Sequence, residues 1–165
     1  MQFVFIGGGV DVKSLKDRAA KLNLKNTLFL KSRPVSEISE VLSLADVLLV
    51  HLQEYPLFEI TIPSKIQAYL CAGKPILVGV KGNAAELALK SGAGIKCEPD
   101  NPESIAEAVI KFKSLSKDEL IKMGENGRQF YNLELSLGIG TYKFEKIFES
   151  VLKKHHGTPV KNDNN

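Results

Sequence analysis

A chain of 165 residues with a formal net charge of +3 is one domain by size and long enough for a core. Hydrophobic residues make up 44% and charged residues 25%, the balance of a globular protein, and no apolar run reaches the length of a membrane span. The basic residues are spread over the chain instead of clustered, which argues against a nucleic-acid partner.

The elements alternate. Residues 2–6 (QFVFI) form a short apolar run that stops at Gly7-Gly8-Gly9, the pattern of a buried parallel strand and its turn. Met1 leads directly into it, so the reading includes no signal peptide. A helix follows with Val12, Leu15, Ala19 and Leu22 on one face. Residues 27–31 (TLFLK) are the second strand, and Ser32-Arg33-Pro34-Val35 is the loop after it. Ser36 is expected to cap the next helix, and residues 46–50 (DVLLV) are the third strand.

The stretch from Phe58 to Pro75, FEITIPSKIQAYLCAGKP, organises the rest. Residues 58–62 read as an irregular segment carrying one carboxylate, Glu59. Ser64 is expected to cap a short helix with Ile66, Tyr69 and Leu70 on its apolar face, stopped by Gly73. A helix that opens above a sheet presents unpaired N–H groups and a positive dipole end, which suits a phosphate. Lys65 adds a positive charge there. The fourth strand is 76–80. Gly82-Asn83-Ala84 then opens a helix in which Asn83 and Glu86 have capping-box spacing. The fifth strand is 94–97. Pro102 starts a helix with Ile105, Ala108, Val109 and Phe112 inside. Residues 117–129 and 141–154 read as further helices, and 155–165 as a polar, disordered tail after a domain spanning 1–154.

Strands alternating with helices imply an α/β fold, a Rossmann-like parallel sheet of about five strands. In such sheets ligands bind beyond the carboxyl ends of the strands. The loops there hold the candidates, and each also has a plainer role. Gly7 and Gly8 let backbone approach a phosphate or only make a tight turn; Val12 stands where a dinucleotide fingerprint needs its third Gly. Glu59 accepts from sugar hydroxyls or only from water. Lys65 contacts phosphate or is a surface lysine. Arg33 flanks a nucleotide or faces solvent. His51 ends a buried strand and reads as structural. Cys71 and Cys97 have no metal spacing and fit a reducing compartment. No metal cluster and no Ser-His-Asp order is found, so no catalytic residue is assigned.

Together the pieces resemble the C-terminal, nucleotide-sugar-binding half of family-four retaining glycosyltransferases with the GT-B architecture. They are FVFIGGG at 3–9, NTLFLKSRPVSEISEVLSLADVLLVHL at 26–52, PSKIQAYLCAGKPIL at 63–77, AELALKSGAGIKCEPDNPESIAEAV at 85–109 and ENGRQF at 125–130. The likeness is to bacterial enzymes of polysaccharide and cell-surface sugar assembly. It implies a nucleotide diphosphate sugar as donor substrate, with no further cofactor. Glu59 then meets the donor sugar. Ser64, Lys65, Gly7, Gly8 and the backbone of Gly82, Asn83 and Ala84 meet the diphosphate. Arg33, Pro34, Val35 and Gln67 meet the nucleotide. The family's usual ribose-holding carboxylate falls at Ala68, beside Gln67, and Glu59 is one position from the expected place of the other. A strand that precedes 2–6 in the family, and an N-terminal acceptor-binding domain, are expected from another part of the protein or from a separate subunit. The site of action is then the cytoplasm, at the inner face of the membrane through that other half. If the sheet closes without the extra strand, strands 2–6 and 46–50 become neighbours, in the order 27–31, 2–6, 46–50, 76–80, 94–97. Two alternatives stay open: a non-catalytic module that binds nucleotide or a partner protein, and half of a sugar-nucleotide epimerase.

Overall fold

The structure is a computed structural model and describes residues 1–156. Of the tail expected over 155–165, residues 155–156 are helical instead, and the rest lies outside the described residues. Five strands run parallel: β1 Phe3–Ile6, β2 Thr27–Leu30, β3 Leu48–His51, β4 Ile76–Gly79 and β5 Gly94–Lys96. The helices are α1 Val12–Lys21, α2 Ile38–Ser43, α3 Pro56–Ile60, α4 Ser64–Ala72, α5 Asn83–Lys90, α6 Pro102–Ser114, α7 Lys117–Phe130 and α8 Leu137–His156. A 3-10 turn, Val35–Glu37, precedes α2, and a π turn, Tyr131–Leu135, joins α7 to α8.

β4 is central and buried along its whole length, because it is apolar on both faces. Ile76, Val78 and Val80 pack with Val50, with Ile66 and Leu70 of α4, and with Ala84, Ala85 and Ala88 of α5. Leu77 points the other way, to Cys97 and to Ala108 and Phe112 of α6, with Leu120 and Met123 of α7 beside them. Alternation along one strand therefore feeds two helical layers.

The sheet is not continuous, which corrects the expected order. β1 pairs with β2, and β3-β4-β5 form a separate sheet. β1 is not hydrogen-bonded to β3. The reason lies in what the helices bury. α2 packs on α4, and Lys74 Nζ donates to the Ser43 carbonyl at 2.7 Å, so β3 is tied to β4. β1, β2 and α1 contain no buried residue, and Val4 and Phe5 remain 49% and 42% exposed. Without buried apolar contact, nothing draws the β1 edge onto β3.

Local starts also differ from expectation. Pro63, extended at φ −61° and ψ 134°, takes the capping position of α4, so Ser64 is the first helical residue and its side chain caps nothing. Gly82 does the same for α5, and the Asn83–Glu86 capping box does not form. Ser36 lies inside the 3-10 turn and caps nothing. Residues 58–60 belong to the short helix α3, with Pro56 at its first position, and are not irregular. α8 begins at Leu137, one turn earlier than 141.

The end of α4 follows the sequence closely. Gly73 adopts φ 67° and ψ 44°, and the Gly73 and Lys74 N–H groups close on Leu70 and Tyr69. The GRQ stretch of α7 docks there: Arg128 Nη2 donates to the Ala72 carbonyl at 2.8 Å. Gly124 lies so close to Gly73 that a Cβ on it would overlap the Gly73 carbonyl oxygen.

Candidate functional site

The carboxyl ends of β3, β4 and β5 open onto one edge, which carries α3 and the starts of α4 and α5. Glu59 sits on α3, its side chain exposed. Its backbone lies directly against Gly82: a Cβ on Gly82 would overlap the Glu59 carbonyl oxygen and come 2.6 Å from its carbonyl carbon. Gly82 takes φ 68° and ψ −147°, a conformation open to glycine alone. These two features set Glu59 beside the first turn of α5, where Ala84 is buried and Asn83 is exposed.

Ser64 and Lys65 stand exposed at the start of α4, and neither side chain makes a hydrogen bond or ion pair among the described residues. Gln67 and Ala68 are on the exposed side of the same helix, opposite Ile66 and Leu70. No side chain caps α4 or α5. The Ile66 N–H closes on the Pro63 carbonyl at 3.0 Å, which leaves the N–H groups of Ser64 and Lys65, and of Asn83 and Ala84, for an external acceptor, and each helix end carries partial positive charge.

A second group of sequence candidates forms at the other sheet. The Gly7 N–H bonds the Leu30 carbonyl at 3.2 Å, and a Cβ on Gly8 would lie 3.6 Å from Ser32 Oγ, so Gly7 and Gly8 adjoin the Ser32 to Val35 loop. Arg33 there pairs with Glu37 at 3.5 Å, while Pro34 and Val35 are exposed. Because the two sheets do not pair, no hydrogen bond among the described residues joins this group to the Glu59–Gly82 group.

The structure adds residues that the sequence reading left out. A small cavity under α3 is lined by Gln53, Glu54, Tyr55, Phe58, Glu59, Val80, Lys81 and Pro99. Tyr55 and Phe58 meet edge to face at 5.9 Å. Lys81 Nζ donates to Glu54 Oε1 at 2.5 Å and lies 4.0 Å from Glu98 Oε2. The Glu54 hydrogen bond holds the Lys81 ammonium above the usual lysine range, against some desolvation, and Glu98 and Glu59 act in the same direction. His51 meets Asp100 at this edge, and burial pushes the nearby Cys97 thiol up. Only the position of these residues in loops at the carboxyl ends hinted at them; their contacts cross 27 to 49 positions of sequence.

Chemically the edge has two characters. Glu54, Glu59, Glu98 and Asp100 outnumber Lys81 and Lys96, which suits hydroxyl donors better than phosphate. The starts of α4 and α5, with Lys65, suit an anion. Among the described residues no three His, Cys, Asp or Glu side chains are arranged to hold a metal ion. A larger cleft, about 350 Å³, lies at the opposite ends of the strands, between Asp46, Lys74, Pro75 and the α7 residues Lys117 and Arg128. None of the sequence candidates lines it.

The sequence profile described as glycosyl transferases group 1 matches residues 1–130. The chain belongs to this family. Three solved structures show the same fold as this chain. One, titled a glycosyltransferase from Rickettsia africae ESF-5, has a TM-score of 0.74 at 21% identity, over 93% of this chain and 41% of that one. Anabaena Alr3699/HepE, titled as a complex with UDP, has a TM-score of 0.72 at 16% identity, over 91% and 41%. WaaG, titled as a glycosyltransferase involved in lipopolysaccharide biosynthesis, has a TM-score of 0.66 at 20% identity, over 81% and 34%. The chain thus spans about two-fifths or less of the length of these three chains. No curated protein sequence matches it. Among the described residues no helix is long and apolar enough to cross a membrane.

Proposed function

We propose that this chain is the donor-binding part of a glycosyltransferase that moves a sugar from a nucleotide diphosphate sugar to an acceptor. The observation that carries this is the close backing of the Glu59 backbone onto Gly82, which brings a carboxylate-bearing residue beside an uncapped helix start at the carboxyl ends of β3 and β4. In this reading Glu59 receives sugar hydroxyls. Ser64, Lys65 and the N–H groups of Gly82, Asn83 and Ala84 receive the diphosphate, with Gly7 and Gly8 from the other sheet. Arg33, Pro34, Val35 and Gln67 border the nucleotide. Leaving-group charge is stabilised by the helix starts and Lys65. The reaction belongs to glycan or cell-surface polysaccharide synthesis, of hexosyltransferase type, carried out in the cytoplasm. The acceptor is held by a further domain or subunit, and the unpaired edges of β1 and β3 support completion of the sheet by a strand from it.

The test is a pair of titrations. Lys65→Ala weakens binding of a nucleoside diphosphate several-fold, by the ~1–2 kcal/mol of one charge-assisted contact, and leaves the nucleoside alone unchanged. Equal losses for both ligands would remove Lys65 from the phosphate site. A wild-type chain that ignores every nucleotide at millimolar concentration would remove the donor reading itself.

A further inference from the structure

α3 has five residues and none of them is buried. A helix of that length does not hold itself, so contacts outside it must fix Glu59. One such contact is the Gly82 backbone. The other begins just before α3, in a run of polar contacts through three loops. His51, the last residue of β3, accepts the Asp100 backbone N–H on Nε2 at 3.3 Å. Asp100 Oδ2 accepts the Glu54 backbone N–H at 2.7 Å. The Glu54 carboxylate accepts from Lys81, which follows β4. Glu98, between Lys81 and Lys96, closes the run on β5.

Two backbone features serve this arrangement. Asp100 has φ 54°, a left-handed conformation that disfavours most side chains. That conformation accompanies an N–H directed at His51 and a carboxylate directed at Glu54. The His51 ring lies across β4 at Gly79, where a Cβ would come 2.7 Å from His51 Cδ2 and 3.3 Å from Cys97 Sγ. β4 thus has no side chain at the one place where the imidazole crosses it.

We infer that Asp100 is a positioning residue: it tethers the segment 52–55, and through it α3 and Glu59, against the start of α5. The inference rests on the reading of this edge as a donor site. Asp100 itself touches no donor. Its carboxylate bond to the Glu54 N–H is charge-assisted and joins two loops separated by 46 positions. Substituting Asp100 by Asn keeps an oxygen acceptor at the same reach, whereas Ala removes it.

The experiment uses the full chain with Asp100→Ala and Asp100→Asn. Amide hydrogen exchange is read across 52–60, with β4 and α7 as internal references. Asp100→Ala speeds exchange over 52–60 about tenfold, the loss expected for one hydrogen bond to a charged group, and leaves β4 and α7 as they were. Asp100→Asn restores most of the protection. In parallel titrations Asp100→Ala weakens a uridine or guanosine diphosphate sugar more than the matching nucleoside diphosphate, because only the sugar reaches Glu59. Unchanged exchange in Asp100→Ala overturns the tether. A rise shared by β4 and α7, no rescue by Asn, or equal losses for the two ligands overturns the positioning role. If the wild-type chain binds no nucleotide, the donor reading fails and the donor-site role with it, while the exchange data still report the tether separately.

Discussion

Gly82→Ala is expected to be more damaging than Gly73→Ala, although both glycines have φ near +67°, Gly73 just after a helix and Gly82 just before one. At Gly73 an added Cβ meets the guanidinium of Arg128 at 2.8 Å, and that side chain is long enough to move aside. What remains is the left-handed backbone, about 1–2 kcal/mol, with about 1 kcal/mol for the Arg128 bond to the Ala72 carbonyl where the side chain must let go of it. At Gly82 the added atom meets backbone, the Glu59 carbonyl, which has nowhere to go unless α3 leaves the start of α5. Its φ and ψ also fall where only glycine is unstrained. Strain and overpacking together cost about 2–5 kcal/mol, a large share of the ~5–15 kcal/mol that holds a domain. Urea unfolding checks this. Gly82→Ala has the lower midpoint, and any folded protein that remains has lost its nucleotide response. Equal midpoints for the two variants would mean that the α3–α5 contact yields easily.

The 165-residue chain by itself is expected to bind a nucleotide diphosphate sugar weakly and to transfer no sugar. Sugar transfer to an acceptor needs donor and acceptor held together in a closed, water-poor cleft. The candidate residues here lie on an open edge. Glu59, Ser64, Lys65, Gln67 and Asn83 are all exposed, and the cavity under α3 is too small for a sugar nucleotide. Ala68 offers no polar group at the position where the family resemblance puts a ribose-holding carboxylate. The contacts left are the helix starts, Lys65 and Glu59, enough for an affinity of roughly 0.1–1 mM, or about 4–5.5 kcal/mol. A saturable calorimetric or fluorescence response to a uridine or guanosine diphosphate sugar is the expected result. Slow donor hydrolysis is compatible with it. Acceptor-dependent turnover by the purified chain would show that one open edge suffices.

Much of the fold is legible in the sequence, and the legible parts share a cause. β4 announces itself because it is apolar on both faces and bounded by Pro75 and Gly82. The stop of α4 at Gly73 and the start of α6 at Pro102 follow from backbone rules that act within one turn. Membership of the glycosyl transferases group 1 family was legible as well, from blocks such as PSKIQAYLCAGKPIL that stand in order along the chain. Capping was read less well. Ser64 and Asn83 have the right side chains, but Pro63 and Gly82 already supply the non-helical backbone a cap needs, so each helix begins at its best capping side chain, one residue earlier than capping by it would allow.

Local pattern determined which segments are strands and helices, and which loops gather at the carboxyl ends. Tertiary structure alone decided who sits beside whom. An apolar strand such as β1 carries no mark of its second neighbour, and the two-sheet division followed from α2 packing on α4 while α1, β1 and β2 buried nothing. The contact of Glu59 with Gly82, and the run from His51 through Asp100 and Glu54 to Lys81, join residues 23 to 49 positions apart. No periodicity encodes such pairs, because side-chain spacing reports the face of an element and not what the fold lays against it.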